Sequence, residues 1–396
     1  MKLLWYSDFL VPTGFGNVAE EIISRLITTG KYDITVLAIN HIGEPYNHPS
    51  SPYYKFKDLP VYPAGIGGDL LGRARLIELL SKNQFDILFA LQDTFNMASF
   101  ANDLSNTKKA RNFKYFYYFP VDAHLNPQWV TDSVLLSDGA FTYTNYGQQT
   151  VKRAVPTCAV GVLPHGVDFN TFRPLDKNEA LQFKQSYFGL KNEFLVTNIN
   201  RNQTRKDIPS TLLAWLKVKQ EIPDAYLYLH MPIDDPAGYN LNELVHSIVP
   251  TQWTPYVLLA RPLNLIASKE TMRMIYGASD VIVTTTLGEG WGLSITEAMA
   301  CGVPVVAPRH TACQEIIGEN EERGYLAKIA GQIVLSRSDN SRVRPLVDVN
   351  DMAQKILQVK AGQGTHEKVE AALSWVKSHC DWDKIVEKWD IILGGK

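Results

Sequence analysis

The stretch GEGWGLSITEAMACGVPVV, Gly288 to Val306, sets two glutamates, Glu289 and Glu297, eight positions apart among glycines and apolar residues. A carboxylate in such surroundings is costly unless something satisfies it. Two carboxylates at a defined separation can act as acid and nucleophile on a glycosidic bond. Each can also hold sugar hydroxyls. A second group of residues points to anions. NINRNQTRKDIPS brings Arg201, Arg205 and Lys206 together just ahead of a helix with Asp207 as its N-cap. Cations are disfavoured at that end of a helix, and a bound anion would relieve the conflict. Arg as a planar fork and Lys as a point charge suit a diphosphate; the alternative is a solvated basic loop. A third group is SDFLVPTGFGN, where Gly14 and Gly16 lead into a helix opening at Asn17. Free N–H groups there make a phosphate site, or the segment is a tight turn with Asn17 as N-cap.

These groups must be positioned by strands. Short apolar runs alternate with helical patterns along the chain, which predicts βαβ units and parallel sheets. The first half offers strands at Lys2–Tyr6, Ile34–Ile39, Ile87–Leu91, Tyr115–Phe119, Gly139–Thr142 and Gly161–Leu163, with helices at Val18–Thr28 and Leu70–Lys82. A Pro- and Gly-bearing break follows, with the linker at 172–180. The second half offers strands at Phe194–Ile199, Ala225–His230, Tyr256–Leu259, Val281–Thr284 and Val303–Ala307. The tail, Glu367–Leu393, reads as two helices joined near Cys380–Trp382. The fold expected is therefore α/β, with two Rossmann-like doubly wound domains facing across a cleft. Such sheets bind ligands at the carboxyl ends of their strands, where all three groups lie. Within the first stretch, Ser294 and Glu297 form an S-x-x-E capping box. Glu289 has no such structural explanation.

Composition narrows the classes. The chain has 396 residues, 45% hydrophobic and 20% charged, with a net charge of -2. That balance carries no footprint for bulk nucleic-acid or membrane binding. No apolar run is long enough to span a bilayer, and the start reads as a first strand rather than a leader. Cys158, Cys301, Cys313 and Cys380 show no metal-ligand spacing, so no metal or disulfide is expected and the expected compartment is the cytoplasm.

Glu289, seven intervening residues, Glu297 and then AMACGVPVVA resemble the E-x7-E signature of retaining GT-B glycosyltransferases, with the nearest likeness to family 4. VLPHGVDFNTFRP resembles the segment that closes that family's N-terminal domain. Arg201 and Lys206 match its Arg-x4-Lys pair, and Glu315 in HTACQEII matches a further Glu. TGFG resembles its N-terminal glycine loop, and HCDWDKIVEKW its last helix, which crosses back over the N-terminal domain. The resemblance implies an acceptor-binding domain at 1–175, a nucleotide-sugar-binding domain at 176–380 and a returning helix at 381–396. It also implies roles. Glu289 would contact the donor sugar and Glu297 the ribose. Arg201 and Lys206 would hold the diphosphate, doing without metal what metal ions do elsewhere. Gly14 and Gly16 would lie against the phosphates, with the backbone of Gly290, Trp291, Gly292 and Leu293 near phosphate and sugar. His124, in FPVDAHLN, matches the family's pocket His. Asn200 and Asp207 stand where the family has glycines, which bears on donor identity more than on reaction class.

The activity so implied is hexosyl transfer from a UDP- or GDP-sugar to a hydroxyl acceptor, with no cofactor. The acceptor would be a saccharide, a lipid-linked group or, less favoured, a modified DNA base. WYSDFLVPTGFGN resembles family members of bacteriophage and archaea, some of which glycosylate such bases. Asp93, the loop Pro63–Asp69, the amphipathic segment Asp69–Lys82 and the basic stretch Thr107–Lys114 are acceptor-side candidates. Competing readings are a glycoside hydrolase, a non-catalytic sugar-binding protein and a nicotinamide-dependent dehydrogenase. A helix-capping Glu297 fits the first poorly, and neither glycine loop completes the fingerprint of the last.

Overall fold

The computed structural model describes residues 1–65, 67–261 and 267–394. Contacts divide the chain into two units: 1–165 together with 382–396, and 166–381. The first boundary thus falls at His165–Gly166 rather than at 175, and the return at Trp382 rather than 381. Ile66, within the loop proposed at 63–69, lies outside the described residues.

The first unit is built on seven parallel strands: β1 (Lys2–Asp8), β2 (Asp33–Ile39), β3 (Val61–Pro63), β4 (Ile87–Leu91), β5 (Lys114–Phe119), β6 (Gly139–Thr142) and β7 (Gly161–Val162). Their order is β3-β2-β1-β4-β5-β6-β7. β1 and β4 are buried along nearly their whole length, as strands covered on both faces must be. β3 is missing from the sequence-based expectation because it is only three residues long and ends in Pro63, with no apolar run to mark it. Helix Gly14–Thr28 starts earlier than expected. Its N-cap is Thr13, not Asn17, and Thr13 Oγ1 accepts from Gly16 N at 3.0 Å. Helix Arg73–Lys82, by contrast, begins later than the expected Leu70.

The last helix, Trp382–Gly394, packs on this sheet. Trp389 is fully buried, with ring centroids 4.9 Å from Phe89 and 5.0 Å from Tyr118 and Phe141. Asp390 accepts from Tyr32 Oη at 2.7 Å and pairs with Lys31. Burial of a Trp of this size dominates such an attachment.

The second unit has six parallel strands: β8 (Phe194–Ile199), β9 (Ala225–His230), β10 (Val257–Leu259), β11 (Val281–Val283), β12 (Val305–Pro308) and β13 (Tyr325–Ala327), in the order β10-β9-β8-β11-β12-β13. Its core joins these strands to helices Ile208–Glu221 and Val349–Lys360 around a fully buried Trp215. β13 and an antiparallel hairpin, β14 (Ile329–Val334) with β15 (Val343–Val347), go beyond the expected elements. The turn of the hairpin carries a buried ion pair. Arg344, with no exposed surface, forks onto Asp339 at 2.5 and 2.7 Å. Among the described residues no helix is long and apolar enough to cross a membrane.

Candidate functional site

The site of the second unit is assembled from the carboxyl ends of three neighbouring strands, β8, β11 and β12. After β8 the chain makes a 3-10 turn at Thr204–Lys206 and enters helix Ile208–Glu221. Asp207 caps this helix as expected. It takes a left-handed φ of 49° and its Oδ1 accepts from Ser210 N at 3.4 Å. Burial raises its carboxyl above the ordinary value.

β11 runs into Thr284–Thr286 and then the glycine turn. Thr285 Oγ1 donates to Asp207 O at 2.7 Å, Leu287 N donates to Arg205 O at 2.8 Å, and Arg205 Nη1 donates to Gly288 O at 2.8 Å. Two strand-end loops are thus stitched together through main chain and side chain. The third loop joins from β12. Glu289 N donates to Thr311 Oγ1 at 3.1 Å, and His310 Nε2 lies 2.9 Å from Thr286 O. Thr311 has φ 45°, a left-handed conformation that a β-branched residue rarely takes and that marks functional loops. His310 and Thr311 were not singled out from the sequence. The only signal was a polar pair directly after an apolar strand.

Lys206 and Glu289 meet inside this frame. Lys206 Nζ donates to Glu289 Oε1, and both side chains are about nine-tenths buried. Desolvation holds the Lys206 ammonium below its ordinary value, an effect that Glu289 partly offsets. Burial alone would raise the Glu289 carboxyl, but Lys206 and then Arg205 outweigh it and hold it below the ordinary range. Each ion is tolerable only because the other is there.

The remaining predicted residues fall in different surroundings. Arg201 is exposed and turns to Asp235, Nε to Oδ2 at 3.2 Å, so the two matched cations have different carboxylate partners. Helix Leu293–Ala300 begins at a different residue from the one expected. Its N-cap is Gly292, with φ 102° and no side-chain cap, so Ser294 and Glu297 form no capping box. Glu297 instead accepts from Tyr276 Oη at 2.7 Å. The left-handed turn at Gly292 is what starts the helix, and it favours glycine. Gly290 lies in the same turn. The Trp291 ring is buried and stacks toward Trp375 at 6.5 Å, while Arg323 covers Trp375 at 4.7 Å.

In the first unit, His124 is exposed on the loop after β5, and Asp93 is half-buried at the end of β4, ahead of helix Thr94–Ala98. Gly14 and Gly16 lie in the first turn of their helix rather than before it. A Cβ on Gly16 would sit 2.3 Å from Val11 O. The loop's own packing is therefore sufficient reason for that glycine.

Residues 201–359 match the family model described as Glycosyl transferases group 1. The chain is 29% identical over 163 residues to the trehalose synthase of Pyrococcus horikoshii, which covers 40% of this chain and 38% of that one. It is 30% identical over 159 residues to the D-inositol 3-phosphate glycosyltransferase of Rhodococcus erythropolis, covering 37% and 32%. The matches thus span well under half the length of these curated relatives. Among solved structures, Anabaena HepE in complex with UDP-glucose superposes with a TM-score of 0.71 at 16% identity, covering 100% of both chains. Residues 201–359 thus resemble the glycosyl transferases group 1, and the two parallel-sheet units have the GT-B fold of the structural neighbours.

Proposed function

We propose that this protein moves a hexosyl group from a nucleoside-diphosphate sugar, UDP- or GDP-linked, to a hydroxyl acceptor, with retention of anomeric configuration and without a metal ion. The observation that carries the reading is the buried Lys206–Glu289 pair at the ends of β8 and β11. A carboxylate and an ammonium held dry and side by side suit a ligand that offers hydroxyls beside a diphosphate. Lys206, with Arg201, holds the diphosphate and stabilises the charge of the departing nucleotide. Glu289 accepts hydrogen bonds from the sugar hydroxyls. Glu297, oriented by Tyr276, accepts from the ribose. The backbone of Gly290–Leu293 approaches sugar and phosphate, as does that of Gly14 and Gly16. His124 donates to the sugar or leaving group. The first unit takes the acceptor, with Asp93 on that side, and the second takes the donor.

The UDP-glucose complex of HepE makes UDP the first nucleotide to try. Purified protein is titrated with UDP, GDP and ADP, and with their sugars, while its melting temperature is followed. A ligand that binds only the folded state raises that temperature. One of the UDP or GDP compounds is expected to do so and its sugar to be slowly hydrolysed. If none of them shifts the melting temperature, the reading fails.

A further inference from the structure

At the ends of β8 and β11 a chain of side-chain hydrogen bonds runs in one direction only. It starts at a main-chain carbonyl, Asp207 O, which can only accept. Thr285 Oγ1 lies 2.7 Å from it and spends its single proton there. Thr211 Oγ1 is 2.6 Å from Thr285 Oγ1. With the Thr285 proton already used, Thr211 is the donor. Asn198 lies 2.9 Å from Thr211 Oγ1. The Thr211 proton is used in turn, so Asn198 meets it with its amide nitrogen and turns its oxygen the other way. Asn200 approaches that oxygen at 2.6 Å and meets it with Nδ2. The same nitrogen donates to Thr284 Oγ1 at 3.3 Å. Asn198 and Thr285 have no exposed surface, and Thr211 is buried, so bulk water offers no alternative partners along the chain.

The amide oxygen of Asn200 is the end of this chain. Among the described residues nothing donates to it. Asn200 is half-buried, and its oxygen is not sealed from solvent. The residue opens the loop after β8 that carries Arg201 and Lys206, while Thr284 opens the loop after β11 that carries Glu289. Asn200 thus bridges the two strand ends whose loops form the buried Lys206–Glu289 pair.

The direction of the chain decides what Asn200 can bind. A free Asn side chain turns to offer either its nitrogen or its oxygen. Turning this one would set its oxygen against that of Asn198 at 2.6 Å. A fixed amide oxygen accepts from a hydroxyl, and it repels a phosphate oxygen, which is itself an acceptor.

We infer that Asn200 is a specificity-determining residue for the donor: its Oδ1 accepts a hydrogen bond from a hydroxyl of the nucleotide sugar, on the ribose or on the transferred sugar, and makes no contact with the diphosphate. The inference deepens the transferase reading above and rests on it. One such hydrogen bond is worth about fivefold in affinity.

The test measures dissociation constants by calorimetry for UDP, UDP-glucose and analogues that each lack one hydroxyl. These are 2′-deoxy-UDP, 3′-deoxy-UDP, and UDP-glucose without its 2-, 3-, 4- or 6-hydroxyl; a protein that binds GDP and not UDP is given the matching GDP series. One analogue is expected to bind the parent protein about fivefold more weakly than its complete counterpart, and to lose that penalty in Asn200→Ala. The penalties of the other analogues should persist in the variant. A ribose analogue that responds assigns the hydroxyl to the ribose, and a hexose analogue assigns it to the transferred sugar. Asn200→Ala also leaves Asn198 Oδ1 without its donor, but the resulting loss of stability weakens all compounds alike and cancels in the ratio. Thr211→Val frees Asn198 to turn while leaving Asn200 in place, and should shrink the same penalty. The inference is overturned if no analogue is penalised in the parent, a result that needs no variant. It is also overturned if Asn200→Ala weakens every compound equally and leaves every penalty as it was, since the residue then serves the diphosphate or the fold. If no UDP or GDP compound binds the parent, the transferase reading itself has failed and this inference falls with it.

Discussion

Lys206 donates to Glu289 across two strand-end loops that are 83 residues apart in sequence and are tied together by Arg205. Removing one partner of such a pair leaves the other charge buried and alone, which costs about 3–5 kcal/mol. Glu289→Gln keeps an acceptor for Lys206 and should fall at the lower end. Lys206→Met should cost as much or more. The double variant should be more stable than the sum of the two, since no orphan charge remains. Denaturant unfolding of the three variants measures this. Donor transfer should be lost in Glu289→Gln, and nucleotide affinity should fall further in Lys206→Met.

The same pair sets an acid limit. The folded Glu289 carboxyl titrates below its ordinary value of 4.5, so the unfolded chain takes up its proton first as pH falls. The pair's stabilisation is therefore complete above about pH 4.5 and is lost as pH drops through the folded value. Glu289→Gln should be destabilised against the parent at pH 6, and this difference should narrow below pH 4.5.

His165 adds a second window. It lies buried against Tyr118 Oη, 2.8 Å from its Nδ1, and desolvation lowers its pKa from 6.5 to about 3. The unfolded imidazole charges below about 6.5 while the folded one stays neutral, so stability declines from there toward pH 3. His165→Gln should show a flatter pH dependence between pH 6.5 and 4.5 in the same unfolding series.

Tyr276→Phe removes the hydroxyl that orients Glu297. The loss in stability should be about 1 kcal/mol, that of one hydrogen bond. If Glu297 reads the ribose, calorimetry should show weaker UDP or GDP binding while binding of the free sugar is unchanged.

Gly292→Ala places a side chain at φ 102° with its Cβ 3.0 Å from Ile295 Cδ1. The strain should cost about 1–3 kcal/mol. The glycine turn that carries Glu289 should shift with it, so the donor KM should rise. Gly16→Ala should destabilise as well, through the clash with Val11 O, but with no specific effect on the donor if that glycine serves packing alone.

Parallel strands with apolar runs could be read directly from the sequence, because burial on both faces leaves a continuous apolar signature. That signature located Ile87–Leu91, Gly139–Thr142, Phe194–Ile199 and Ala225–His230 to the residue. The glutamate spacing and the basic cluster were equally legible, since both are local patterns of residue type. Short or pinned elements escaped. Val61–Pro63 has no run to detect, and the Ile329–Val347 hairpin depends on an Arg344–Asp339 fork that no periodicity announces.

Partnership was decided only by the tertiary structure. Local pattern assigned Glu297 to Ser294, yet a left-handed Gly292 sets the helix start, and the carboxylate finds Tyr276, 21 residues back, instead. Local pattern grouped Arg201 with Lys206, yet one faces Asp235 and the other Glu289. The physical reason is common to both. A carboxylate or a cation is satisfied by whichever opposite group the packed strands bring to it. In a parallel sheet those groups come from neighbouring strand ends, far away along the chain.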